Sequence, residues 1–196
     1  MNLPNKLTVA RIIATPIFMA AMLIDLPNGL HYLVALILFA AASFTDMLDG
    51  KIARKHNLIT NFGKFLDPLA DKMLTTAALL GFIYRGIGYG VTWIVFIVLF
   101  REFLISSLRL VVVSSKSGKV IAANIWGKLK TVSQMAAIIF ALLAYYLISL
   151  DMLPDVWNTA VLPIATSVLL WISAIFAVIS GVIYMVENKE FVDPSK

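Results

Sequence analysis

Residues 157–186 read WNTAVLPIATSVLLWISAIFAVISGVIYMV, without one Asp, Glu, Lys or Arg. A helix needs about 20 predominantly apolar residues to cross the hydrocarbon core of a bilayer, and this run exceeds that length. Apolar segments also cover about residues 7–26, 30–44, 68–84, 91–113 and 129–150. All are rich in Leu, Ile, Val, Ala and Phe. None shows the alternation of membrane barrel strands, so helices are the spanning solution. The fold expected is all-α: a polytopic membrane protein, a bundle of six transmembrane helices. Composition agrees, with 61% hydrophobic and 14% charged residues among 196, against roughly 45–50% apolar residues in soluble domains. Turn signals at Pro27-Asn28-Gly29, residues 86–90, residues 114–118 and Pro154 separate the segments. The first segment is read as a span and not a cleavable signal, because Arg11 interrupts it and no small-residue cleavage pattern follows. No linker, repeat or low-complexity stretch divides the chain, so residues 1–196 are expected to form a single membrane domain.

Charge orients the bundle. Lys51, Arg54, Lys55, Lys64, Lys116, Lys119 and Lys128 fall in one set of loops, together with Lys6, Lys189 and Lys196 near the termini. The other loops hold Arg85 beside Asp25, Asp151 and Asp155. By the positive-inside rule both termini are cytoplasmic, in a multi-pass protein of the cell membrane. The net charge of +5 suits an anionic leaflet or an anionic substrate. Nucleic acid is a poor partner, because the basic residues flank spans and form no soluble basic face. The absence of cysteine excludes disulfides, thiolate metal sites and cysteine nucleophiles. His31, Trp93 and Trp157 read as interfacial residues, His56 as loop, and the methionines as packing.

Four of the eleven acidic residues lie between positions 46 and 71: Asp46, Asp49, Asp67 and Asp71. Asp46 and Asp49 are about 300° apart on a helix, and Asp67 and Asp71 about 40°, so each pair shares a face. The first pair ends the second helix and the second opens the third, which lets four carboxylates converge at the cytoplasmic boundary. Four anions repel, and desolvation there is expensive, so they either protonate or hold cations. Hard oxygen ligands suit Mg²⁺, Mn²⁺ or Ca²⁺. Two divalent ions would neutralise the cluster in the arrangement that clamps phosphoryl groups. Helix capping is a plainer reading for Asp67, which precedes Pro68. Gly50 and Ala53 let a ligand approach the helix backbone, Arg54 offers a fork for phosphate, and Gly63 lies one turn before Asp67.

Written out, the stretch is Asp46-x-x-Asp49-Gly50-x-x-Ala53-Arg54, eight residues, then Gly63-x-x-x-Asp67-x-x-x-Asp71. It resembles, without gap or departure, the signature of the CDP-alcohol phosphatidyltransferases. Pro4-Asn5-x-x-Thr8-x-x-Arg11, Arg101-Glu102 and Trp126-Gly127-Lys128-x-Lys130-Thr131 are similar to members of that family whose acceptor is sn-glycerol 3-phosphate. The resemblance implies an enzyme that transfers the phosphatidyl group from CDP-diacylglycerol to sn-glycerol 3-phosphate, giving phosphatidylglycerophosphate and CMP. It implies two divalent ions, Mg²⁺ or Mn²⁺, on Asp46, Asp49, Asp67 and Asp71, with Asp71 also the general base. Asn5, Thr8, Gly50, Ala53, Arg54 and Gly63 are the implied nucleotide and diphosphate contacts, and a homodimer is the implied assembly. A dianionic acceptor needs cations, which Arg101, Arg109, Lys128 and Lys130 are expected to supply. An ion pair with Glu102 is the other reading of Arg101, and positive-inside anchoring that of the two lysines. Other acceptors within the family (inositol phosphate, serine, phosphatidylglycerol) fit the same signature. An intramembrane prenyltransferase would space its aspartates differently. A divalent-cation transporter would place its acids near the midplane.

Overall fold

The computed structural model describes residues 2–55, 60–114 and 124–189; the side chains of residues 47–55, 61, 64, 65, 113 and 114 lie outside that description. The turn signal at residues 114–118, His56, Lys116, Lys119 and Lys196 therefore fall wholly or partly outside it. Six α-helices and no strand are present among the described residues: α1 Leu3–Leu23, α2 Leu30–Lys55, α3 Asn61–Arg85, α4 Val91–Ser114, α5 Ile125–Ser149 and α6 Leu162–Glu187. A 3₁₀ turn, Pro27–Gly29, precedes α2, and a π-helical turn, Trp157–Val161, precedes α6. Among the described residues, four segments are long and apolar enough to cross a membrane: Leu3–Leu23, Pro27–Asp46, Ile125–Ser149 and Trp157–Glu187. The chain is an all-α membrane protein. Exposed Phe96, Phe100, Phe103 and Leu110 give α4 an apolar outer surface of the kind lipid covers.

Local chemistry sets the helix ends. Asn2 caps α1, its Oδ1 accepting from the Asn5 amide at 3.1 Å, and Pro4 occupies the first turn, where its missing N–H is harmless. α2 runs unbroken past Asp46 and Asp49 to Lys55, as the aspartate spacing requires. α3 departs from expectation. It starts at Asn61, with Thr60 as its cap (Gly63 N–H to Thr60 Oγ1, 3.0 Å), and it carries Pro68 within it. Asp67 is therefore not a helix cap. It stands in the second turn, where its carboxylate is available to other partners. α3 stops at Gly86, whose left-handed backbone (φ 66°) lets its own N–H reach Ile83 O and that of Ile87 reach Phe82 O.

The chain forms two compact units, Met1–Tyr89 with Ile138–Thr166, and Gly90–Ala137 with Ser167–Lys196. In the first, α1 packs on both α2 and α3. Its buried stripe is Asn5, Thr8, Arg11, Thr15, Phe18 and Met22, a helical period that is polar at one end and apolar at the other. The apolar end packs conventionally: the Phe18 and Phe39 rings lie 6.1 Å apart, and Met22 fits against Gly81, where a Cβ would meet it at 3.0–3.2 Å. Arg85 closes this end by donating to Met22 O (2.6 Å) and Ile24 O (2.8 Å) and pairing with Asp25. The hydrogen bond from Arg85, reinforced by its charge, holds the exposed Asp25 carboxyl below the usual carboxylate range. In the second unit, Ile105, Leu108, Val112 and Tyr184 form a core between α4 and α6.

Candidate active site

The polar end of the α1 stripe builds the first half of the site. Thr8, 1% exposed, donates from Oγ1 to Asp67 Oδ1 at 2.7 Å. Arg11, 2% exposed, pairs through Nη1 with Asp46 Oδ1 at 2.5 Å. These two residues are three apart on one helix, so α1 alone fixes the first aspartate of each pair, one on α2 and one on α3. Asn5, one turn earlier, donates from Nδ2 to Thr60 Oγ1 at 3.0 Å and so ties α1 to the α3 cap. Gly63 is buried between them. A Cβ there would lie 2.9 Å from Asn5 Oδ1, 3.3 Å from Thr60 Oγ1 and 3.8 Å from Asp67 Oδ2. Asp71 follows Asp67 by one turn on the same face of α3 and is half-buried. The structure thus brings Asn5, Thr8, Gly63, Asp46 and Asp67 into one constellation.

The side chains of Asp49, Gly50, Ala53 and Arg54 lie outside the described residues, although their backbone is helical. Among the described residues no three carboxylates or imidazoles form a metal-sized group. The donor set still fits a hard divalent cation. Asp46 and Asp67 present carboxylate oxygens, each anchored through Oδ1 by a buried neighbour, and such anchoring orients metal ligands. Arg11 is the residue that sequence reasoning left without a role. Its signal was available, since a charge inside an apolar run has to face the interior and find a partner.

The second unit holds the expected acceptor residues. Arg101 and Lys130 meet on Glu102 Oε1, at 3.0 and 3.1 Å, which realises the ion-pair reading of Arg101. Arg101 Nη2 also donates to Ser180 Oγ at 2.7 Å, and Ser180 Oγ donates to Asn124 Oδ1 at 3.0 Å. Asn124 Oδ1 in turn accepts from the Gly127 N–H at 2.8 Å, capping α5. Gly127 packs directly under this network: a Cβ there would sit 2.9 Å from Arg101 Nη2, so a side chain would make the guanidinium shift. Arg109 and Lys128 do not join this network. Arg109 lies over the Tyr184 ring, 5.7 Å from its centroid, and donates to the Tyr184 hydroxyl at 3.1 Å. Lys128 is exposed, whereas Lys130 is buried. The two are about 200° apart around the helix, which puts them on opposite sides.

A sequence model of the CDP-alcohol phosphatidyltransferase family matches residues 1–182. Among curated proteins, the chain is 41% identical to the CDP-diacylglycerol–glycerol-3-phosphate 3-phosphatidyltransferase of Bacillus subtilis (strain 168), covering 96% of each chain. It is 36% identical to the protein of that name from Rickettsia bellii, covering 97% of each, and 34% identical to the one from Haemophilus influenzae, covering 94% of this chain and 91% of that one.

Proposed function

The chain belongs to the CDP-alcohol phosphatidyltransferase family and is a membrane phosphatidyltransferase, and on that premise we propose that it transfers the phosphatidyl group of CDP-diacylglycerol to sn-glycerol 3-phosphate. The products are phosphatidylglycerophosphate and CMP. The acceptor is supported by the names of the relatives, which match over nearly their whole length. The observation that carries the chemistry is α1 holding Asp46 and Asp67 through Arg11 and Thr8. Family membership favours this over the prenyltransferase and transporter readings.

In the proposed reaction the primary hydroxyl of the acceptor forms a bond to the phosphorus that bears the diacylglycerol. The bond from that phosphorus to the bridging oxygen breaks, and its electron pair leaves with CMP. The hydroxyl proton passes to Asp71, which needs to take it only as the new bond forms. Asp46, Asp49, Asp67 and Asp71 would hold two divalent cations, Mg²⁺ or Mn²⁺, which when bound neutralise the diphosphate and the departing CMP. Arg11 fixes Asp46, and Thr8 orients Asp67. Asn5, Thr8, Gly50, Ala53, Arg54 and Gly63 are assigned to the nucleotide and diphosphate. For the acceptor phosphate, Arg101 and Lys130 are retained from the four cations expected, since Arg109 and Lys128 lie apart from that pair. Arg101 and Lys130 bring two cations to one carboxylate and so retain one net positive charge. Both termini and the aspartates are placed on the cytoplasmic side, supported by the distribution of Lys and Arg. The family likeness further implies a homodimer.

The test is CMP release by the purified protein in detergent with CDP-diacylglycerol and Mg²⁺. Glycerol 3-phosphate, inositol phosphate, serine and phosphatidylglycerol are compared as acceptors. Release with glycerol 3-phosphate and with none of the others is expected; release with another acceptor alone would replace the acceptor assignment.

A further inference from the structure

Gln134 lies on α5, is 1% exposed, and has no hydrogen-bond partner for either Oε1 or Nε2 among the described residues. A primary amide offers two donors and an acceptor with two lone pairs. Burying all of them unpaired works against the fold. A methionine would fill a similar volume without that penalty. Stability therefore does not explain a glutamine here, and a polar ligand does.

Its position says which ligand. Gln134 follows Lys130 by four residues and so stands one turn above it on the same face. Helical side chains lean toward the N-terminus of their helix, which tilts the amide toward the Lys130 turn. That turn carries the cluster of Lys130, Glu102 and Arg101. In the other direction the buried face of α5 continues as Ala137, Ile138 and Ala141, so Gln134 is the last polar group before the apolar part of the helix. Cations suit a phosphate. A neutral group that donates and accepts at once suits a hydroxyl, which does both.

We propose that Gln134 is a specificity-determining residue whose amide hydrogen-bonds the secondary hydroxyl of a phosphorylated polyol, the hydroxyl of glycerol 3-phosphate that does not react. The assignment rests on the reaction proposed above, and it makes the acceptor site selective for a polyol phosphate over a simple alkanol phosphate.

The experiment compares two acceptors on the full-length protein in detergent, with CDP-diacylglycerol and Mg²⁺. One is glycerol 3-phosphate. The other is 3-hydroxypropyl phosphate, which keeps the phosphate and the primary hydroxyl and lacks the secondary one. Wild type is expected to favour glycerol 3-phosphate in kcat/KM by roughly ten- to a hundredfold, because a site built around a hydroxyl discriminates against its absence. In Gln134→Met the ratio is expected to fall to about threefold or less, with the melting temperature of the unliganded protein at or above wild type. A wild-type ratio in a folded Gln134→Met protein overturns the inference. If the methionine variant does not fold, Gln134→Asn withdraws the amide by one methylene. The ratio is then expected to drop, and a wild-type ratio in that variant overturns the inference equally. Wild-type protein that uses both acceptors equally overturns this inference and leaves the proposed reaction standing. Wild-type protein that uses neither overturns the reaction, and this inference with it.

Discussion

Asp71 and Arg11 are both charged groups of the first unit, yet their loss should be felt differently. Asp71 is assigned to proton transfer, so Asp71→Asn keeps shape and hydrogen-bonding capacity and removes the base. CMP release is expected to fall by about 10²–10⁴-fold while the melting temperature stays near wild type; a variant within tenfold of wild type removes Asp71 from the chemistry. Arg11 is buried against Asp46, so Arg11→Met strips a carboxylate of its anchor and is expected to destabilise by roughly 1–3 kcal/mol, read as a lower melting temperature. Activity should fall with it, because Asp46 loses its orientation. An Arg11→Met protein as stable and as active as wild type would show that the pair positions nothing. At this scale the sequence was informative about residue type more than partnership. Spacing marks the aspartates, whereas Arg11 reads from sequence only as a charge that interrupts the first apolar segment. The Arg11–Asp46 and Thr8–Asp67 pairs span 35 and 59 positions, and only the packing of three helices brings them together. The expected cation group of Arg101, Arg109, Lys128 and Lys130 divided for a simpler reason: residues two apart cannot share a helix face, and Glu102 claimed the two cations that point inward.

Among the elements, α3 departs most from expectation. Pro68 reads as a helix opening because proline suits a first turn, yet the helix begins seven residues earlier. Proline forfeits one hydrogen bond and crowds the carbonyl one turn back. Near the start of α3 that loss is offset by the Thr60 cap and by packing on α1. The Thr60 hydroxyl serves both the Gly63 N–H and the Asn5 amide. Thr60→Ala is therefore expected to cost about 1–2 kcal/mol, at the upper part of the usual range for a lost cap. It should also lower activity, because Asn5 and Asp67 both depend on that turn; Thr60→Ser is expected to restore both. The far end of α3 carries a pH signature. Arg85 lowers the pKa of Asp25 in the folded protein, so the stability this pair contributes is present above the unfolded carboxylate pKa, about 3.9. It is lost as pH falls through the lower folded value. The pair is exposed on the aspartate side, so the effect is small, but its sign is fixed. Wild type should melt slightly above Asp25→Asn at pH 6, and the gap should close below about pH 4. A gap that widens on acidification would reverse the assignment.

For the whole molecule the question is where the membrane lies. Along α3, Asp67 and Arg85 are separated by 18 residues, about 27 Å at 1.5 Å per residue, close to the roughly 30 Å hydrocarbon thickness. One end of that helix carries the aspartates, and the other carries Arg85, which lines a cavity of about 550 Å³ with Asp151 and Asp155. A bilayer fits between these ends. The membrane character and the helical class were legible from composition and segment length alone, because apolar length is a property of local sequence. The side each end faces is legible only from the statistics of Lys and Arg, so it calls for direct measurement. The chain has no cysteine, and single thiols can be introduced without background. Asp155→Cys, ahead of the π-helical turn that precedes α6, is expected to react in intact cells with a membrane-impermeant maleimide. Lys189→Cys, after α6, is expected to react only once the membrane is opened. The reverse pattern would turn the protein over and put the aspartates on the outer face, away from a cytoplasmic supply of nucleotide-activated lipid. Reaction of both thiols in intact cells would mean that α6 does not cross, and an even number of crossings with both termini inside would no longer hold.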